Sequence, residues 1–213
     1  LRFPPAEGAL TIAMPTWTPG SYLLREYSRM IEDFVAVDSE GEALKVEHLG
    51  KNRRRMGQGG QAVTGHYTLY AREPSVRTNF VDSDLAVISP AATFFFDPSR
   101  PELPYQIQIE TPPAYRDVQT QLRKDTQGSW RAPNIEKLVD SPIVLGTARV
   151  DDIDVRGVRH RLATFADHGK FPQKQATKDV AAIAEQAALL FGEIPYPEYV
   201  FLNVANEGRG GLE

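Results

Sequence analysis

The chain has 213 residues, 41% hydrophobic and 24% charged, with a formal net charge of −4 from 24 basic and 28 acidic side chains. That length can bury the core of one large domain or two modest ones, and the acidic balance argues against a nucleic-acid partner, which calls for a basic face. No apolar run approaches a membrane span, no basic-then-apolar leader is visible, and the absence of cysteine removes disulfides, thiol nucleophiles and cysteine-ligated metals.

A soluble protein is therefore expected. The cytoplasm ranks ahead of the periplasm, although the lack of cysteine does not fix the compartment, and Leu1 leaves a removed leader open.

In chain order, the first two thirds predict short strands. GALTIAMP places Leu10 and Ile12 on one face before Pro15 stops the strand. GSYLLREYSRMIEDF spaces Leu23, Tyr27 and Met30 at roughly helical intervals, which predicts a short helical turn with Ser21 as cap. FVAVDSEGEALKVEHL reads as an apolar strand, an Asp-Ser-Glu-Gly turn, and a second strand with Leu44 and Val46 alternating against Lys45 and Glu47. The basic cluster KNRRR, Lys51 to Arg55, reads as a solvated hairpin tip, since no aromatic platform is interleaved with it. In GHYTLYA, Tyr67 and Leu69 oppose Thr68 and Tyr70; in YQIQIETP, Ile107 and Ile109 oppose Gln106 and Gln108. Loops such as WTPGSY and DPSRPELP separate these segments, and the whole predicts a mainly β fold, a β-sandwich over residues 1–154.

The texture changes near residue 155. VLGTARVDDIDVRGVRHRLATFAD reads as strand, Asp-rich turn and strand. TKDVAAIAEQAALLFG then predicts a helix over about 177–191, with Val180, Ile183, Ala184, Ala187, Leu190 and Phe191 as one apolar stripe. Thr177 is its expected N-cap, with Asp179 in the first turn, and Gly192 its stop. A strand over about 199–205 follows, apolar almost throughout, as in strands covered on both faces. Residues 155–213 thus predict the start of a second, α/β domain that is too short to be whole. The ending GRGGLE delivers Glu213 straight after the most apolar strand and reads as a cut inside a motif.

Candidate chemistry is sparse. None of His48, His66, His160 and His168 lies within helical reach of another, so no pair has the spacing of a zinc helix. DDIDVRG sets Asp152 and Asp154 two apart before Gly157, but Arg156 occupies the next ligand position of a calcium loop, and a hairpin turn is the better reading. There is no Gly-x-Ser-x-Gly elbow, Ser21 reads as a turn residue, and GQGG and GRGG lack the spacing of a phosphate loop. Residue by residue, the chain holds no complete active site.

The order of longer motifs says more. MPTWTPGSYLLREYSR, VRTNFVD, LVDSPIVLG at Leu138 to Gly146, and LFGEIPYPEYVF followed by GGLE resemble the glycyl aminopeptidases, zinc metallopeptidases with a PDZ domain near their C-terminus. The likeness covers essentially the whole chain, and one departure is Pro74 in REPSVRT. It implies a saddle of β-strands, then the beginning of a thermolysin-like catalytic domain related to that of aminopeptidase N and leukotriene hydrolase. It also implies that Gly210, Gly211, Leu212 and Glu213 match the edge segment that anchors a peptide substrate with a free N-terminus, Leu212 replacing a methionine. Extended backbone pairs with a peptide by strand addition, glycines permit close approach, and a carboxylate meets the substrate ammonium.

By the same resemblance the parent enzyme uses zinc, held by a downstream His-Glu-x-x-His helix, and removes N-terminal residues, glycine or alanine, from peptides. This chain lacks that helix, so it is expected to bind no zinc and to be inactive alone. Two other classes stand beside this reading: a non-catalytic β-sandwich binding module, and a pseudoenzyme that has lost catalysis. The residues after Glu213 separate the three.

Overall fold

A computed structural model describes residues 1–75, 77–167, 169–205 and Gly211. The fold is mainly β. Its strands are β1 (Arg2–Phe3), β2 (Leu10–Ala13), β3 (Ile31–Val37), β4 (Val46–His48), β5 (Arg53–Met56), β6 (Val63–Leu69), β7 (Phe80–Val81), β8 (Leu85–Ile88), β9 (Tyr105–Ile107), β10 (Asp117–Thr120), β11 (Arg123–Lys124) and β12 (Trp130–Ala132). A one-turn helix, α1 (Ile135–Val139), precedes β13 (Ile143–Gly146). Then come β14 (Ala148–Val155), β15 (Val158–Phe165), the long helix α2 (Gln173–Phe191) and β16 (Glu198–Val204).

Among the described residues they form five small sheets, ordered β1-β6-β3, β2-β5-β4, β10-β13-β8-β7, β11-β12-β9 and β14-β15-β16. All strand pairs are antiparallel except β15 with β16, which are parallel and joined across α2. The first two sheets enclose one apolar cluster that includes Leu10, Ile12, Met14, Tyr27, Met56 and Phe95. A second cluster gathers Ile107, Leu138, Ile143 and Leu145. Leu85 and Val144 pack with Ala163 and Phe165, and so join the β8–β13 sheet to the last sheet.

Several expectations need correction. The Asp38–Gly41 turn is present, with the Asp38 N–H donating to the Glu42 carbonyl at 3.0 Å and Val37 bridging Ala43. The next strand nevertheless leaves its neighbour: β4 pairs with β5, while β3 pairs with β6. The expected short helical turn is present as a 3-10 turn, Tyr27–Met30, but it starts after Glu26 with no capping side chain, so Ser21 does not cap it, and Leu23 is 61% exposed.

The basic cluster is also more than a tip. Arg53 and Arg55 face solvent from β5, but Arg54 is 6% exposed, its guanidinium 4.8 Å from the Phe34 ring centroid and 5.1 Å from that of Phe95. Strand alternation sends every second residue inward, arginine included, and two aromatic faces accept its charge. Asp151 to Val155 belong to β14, and the hairpin turn is only Arg156–Gly157, both at positive φ (54° and 79°).

α2 starts at Gln173, four residues before the expected cap. Thr177 lies inside it, its hydroxyl within 2.6 Å of the Asp151 carboxylate and 2.8 Å of the Gln173 carbonyl. Gly192 ends the helix as expected, at φ 83° with its N–H donating to the Ala188 carbonyl. The stripe divides: Val180 and Ala184 pack with Ile153, Val155 and Leu162, whereas Ile183, Ala187, Leu190 and Phe191 are exposed.

Candidate substrate-anchoring edge

The β15–α2–β16 unit carries the chain toward its last residues, and polar contacts fix it at both ends. At one end Gln173, 4% exposed, receives the Thr164 hydroxyl at 2.5 Å and donates to the Leu162 carbonyl at 3.2 Å. The Asn203 amide donates to the Thr164 oxygen at 3.3 Å, so one buried network ties β15, α2 and β16 together. At the other end His160 is fully buried, with Nδ1 3.0 Å from the Val158 carbonyl and Nε2 3.1 Å from the Tyr196 hydroxyl. Nδ1–H donating and Nε2 accepting satisfies a neutral imidazole completely. Tyr196, Tyr199 and Phe201 continue this into an aromatic wall, with successive ring centroids 5.2 and 4.7 Å apart. Burial pushes the Tyr196 phenol above its ordinary pKa, with the neighbouring Tyr199 adding to the shift.

Both faces of β16 meet apolar neighbours. Leu202 and Val204 pack toward Leu85 and Val144, and Phe201 packs toward Leu162 and Ala184. Its outer edge begins under the side chain of Gln121, whose amide donates to the Glu198 carbonyl at 2.8 Å and accepts from the Val200 N–H at 3.0 Å. The ladder with β15 runs one residue past the strand, where the Ala205 N–H donates to the Phe165 carbonyl at 2.9 Å.

Of the four residues expected to anchor substrate, Gly210, Leu212 and Glu213 lie outside the described residues. Gly211 is described: it is exposed, and a Cβ built on it would meet nothing within 4 Å. Among the described residues no packing demands glycine there.

Other candidate residues are occupied structurally. Ser21 closes a turn, its hydroxyl donating to the Leu23 carbonyl at 3.0 Å and accepting from the Leu23 N–H at 3.3 Å. Asp152 pairs with Arg159, and the Asp154 carboxylate accepts the Gly157 N–H at 3.2 Å. His48 and His66 are exposed on separate sheets, and His168 lies outside the described residues. Among the described residues no three histidine or acidic side chains could together hold a metal ion, so these residues do not fit a zinc site. Sequence reasoning missed Arg54 and the Gln173 network. Alternation in RRRM could have exposed the first; nothing local marks the second.

Residues 1–147 match the family model of the peptidase M61 N-terminal domain. The chain belongs to the peptidase M61 family. An aminopeptidase N family protein from Idiomarina loihiensis, known from a crystal structure, superposes on this M61 chain with a TM-score of 0.93 at 29% identity, over 100% of this chain and 37% of that one. Aminopeptidase A from Legionella pneumophila, solved in complex with aspartic acid, shares the fold at a TM-score of 0.53 and 13% identity, over 92% of this chain and 24% of that one. No curated protein matches. The M61 chain thus spans a little over a third of the length of the Idiomarina protein. Among the described residues no helix is long and apolar enough to cross a membrane.

Proposed function

We propose that this chain is the N-terminal portion of a zinc-dependent aminopeptidase of the glycyl aminopeptidase type, which removes N-terminal residues, glycine or alanine, from peptides. Superposition of the whole chain on an aminopeptidase N family protein, together with M61 membership, carries the reading. In it, residues 1–154 form the N-terminal β domain and residues 155–213 begin a thermolysin-like catalytic domain. The new sheet that starts at Ala148 and the crossover through α2 support a division in that region. The zinc ligands and a PDZ domain belong to the longer protein, so this piece alone is inactive and binds no zinc.

Gly210, Gly211, Leu212 and Glu213 serve as the substrate-anchoring edge. β16 precedes them in the chain, and among the described residues nothing stands within 4 Å of a Cβ built at Gly211, which suits the close approach of a peptide backbone. The Glu213 carboxylate receives the substrate's α-ammonium, the contact that distinguishes an aminopeptidase from an endopeptidase.

Glu213→Gln in the longer protein tests the assignment. It keeps the shape and replaces an ion pair with a neutral hydrogen bond, a loss of roughly 2–4 kcal/mol, or about 30- to 1000-fold in kcat/KM for peptides with a free N-terminus. N-acetylated peptides, poor substrates of the wild type, should be little affected. Equal losses on both substrate types would show that Glu213 is not the anchor.

A further inference from the structure

Two motifs that the proposed anchor leaves unused meet in the fold. In MPTWTPGSYLLREYSR the Arg25 N–H donates to the Thr16 carbonyl at 2.7 Å and the Ser21 N–H to the Thr18 carbonyl at 3.1 Å. The loop so closed holds Thr18 against the start of the Tyr27–Met30 turn. In VRTNFVD, Thr78 and Asn79 line one small cleft with Tyr27 and Glu73, which sets Arg77 beside the same turn.

Four polar groups converge there without partners. Thr18 is 1% exposed and Tyr27 3%, yet among the described residues neither hydroxyl has a hydrogen-bond partner. The buried Nε atoms of Arg25 and Arg77 have none either. Burial raises the pKa of the Tyr27 phenol, while the Thr18 hydroxyl and the charges of Arg25 and Arg77 oppose that rise, so all three lie close to its oxygen. The nearby acids are engaged elsewhere: Glu73 pairs with Arg29 at 3.4 Å, and Glu26 pairs with Lys51. Among the described residues neither Arg25 nor Arg77 has an ion-pair partner.

We infer that Thr18, Arg25, Tyr27 and Arg77 form a binding site for a carboxylate. Two guanidiniums around one buried phenol repel each other, and the unbonded hydroxyls carry the cost of lost hydration. Water would bond the hydroxyls but leave both charges uncompensated; an anion does both. The donor count selects its class. Two Nε–H groups and two hydroxyls offer four donors, and the two oxygens of a carboxylate offer about four acceptor positions. The guanidinium fork also matches the carboxylate plane, so each contact is a charge-assisted hydrogen bond with fixed geometry.

Phenylglyoxal labelling of the longer protein, with each arginine read by peptide mass mapping, tests this. At fixed ionic strength, sodium acetate in place of sodium chloride should slow modification of Arg25 and Arg77 at one common half-protection concentration. At ten times that concentration the slowing should be about tenfold, while Arg53, exposed on β5, is unaffected. Tyr27→Phe removes a hydroxyl that bonds nothing among the described residues, so it should leave thermal unfolding unchanged and raise the half-protection concentration roughly tenfold. Arg25→Gln should raise it at Arg77 by a similar factor. Equal reaction in acetate and chloride, protection of one arginine alone, or failure of either to react in chloride overturns the inference. So does a half-protection concentration that neither substitution moves. Protection by inorganic phosphate at lower concentration than acetate overturns the carboxylate assignment in favour of a phosphoryl group.

Discussion

In the N-terminal β region Phe95 and Met14 are completely buried and Ile12 is 1% exposed, whereas on α2 Ile183, Leu190 and Phe191 expose 67%, 78% and 76% of their surface. The two regions differ in how many neighbours each element has. A strand between two others, with a second sheet over its face, is covered on all sides. Among the described residues α2 is covered along the stripe that meets β14 and β15, through Ala176, Val180 and Ala184. An apolar stripe on a helix reports where packing can occur. How much of it is used depends on elements elsewhere in the chain.

The sharpest test is Phe95→Ala. Phe95 meets Phe34 and Tyr67 edge to face, each at 5.4 Å between centroids, and lies under the Arg54 guanidinium. Its removal should cost about 3–5 kcal/mol in urea unfolding; a loss below about 1 kcal/mol would contradict the close packing of this cluster. Next comes Gly146→Ala, at the seam between the two regions. Gly146 holds φ at 154°, and a Cβ there would stand 2.8 Å from the Asp84 carbonyl oxygen and 3.4 Å from the Phe165 ring. A loss of roughly 1–3 kcal/mol in thermal unfolding is expected, and a neutral result would show the seam to be loose.

Asp97 supplies a pH test within the β region. Burial raises its pKa, but hydrogen bonds from Ser99 and Arg100 outweigh burial and hold it below the ordinary value of 3.8. A depressed carboxylate contributes stability above its unfolded pKa and loses it as pH falls through the lower, folded value. Stability should thus fall on acidification below about pH 4, and Asp97→Asn should flatten that slope. An unchanged slope would assign the acid sensitivity to other carboxylates. The smallest effect is expected on the helix: Ile183→Ala in the 213-residue chain should shift stability by no more than about 0.5 kcal/mol. A loss comparable to that of Phe95→Ala would erase the contrast between the regions.

Local signals were legible to the extent that they decide structure locally. Leu10 and Ile12, the Asp38–Gly41 turn and the Gly192 stop all follow from alternation or turn chemistry within a few residues. β4 pairing with β5 did not, because the choice among antiparallel partners rests on contacts distant in sequence. Thr177 looked like a cap on residue type alone. Its hydroxyl instead meets Asp151, 26 residues away, and the helix runs back to Pro172. The buried arginine was misread for a related reason: charge suggested solvent, while strand phase and two distant aromatic rings placed Arg54 inside. At the candidate anchor only Gly211 lies among the described residues, so Glu213 stands on motif order and on the strand that leads to it.

The amide of Gln121 bears on self-association. An apolar strand with free backbone groups is a template on which other chains can assemble into fibrils. Gln121 presents one carbonyl and one N–H in the positions a neighbouring strand would use, and so fills the Glu198 carbonyl and Val200 N–H before another molecule can reach them. Any intermolecular growth along β16 must displace that side chain or begin beyond Val200, where fewer residues are left to pair.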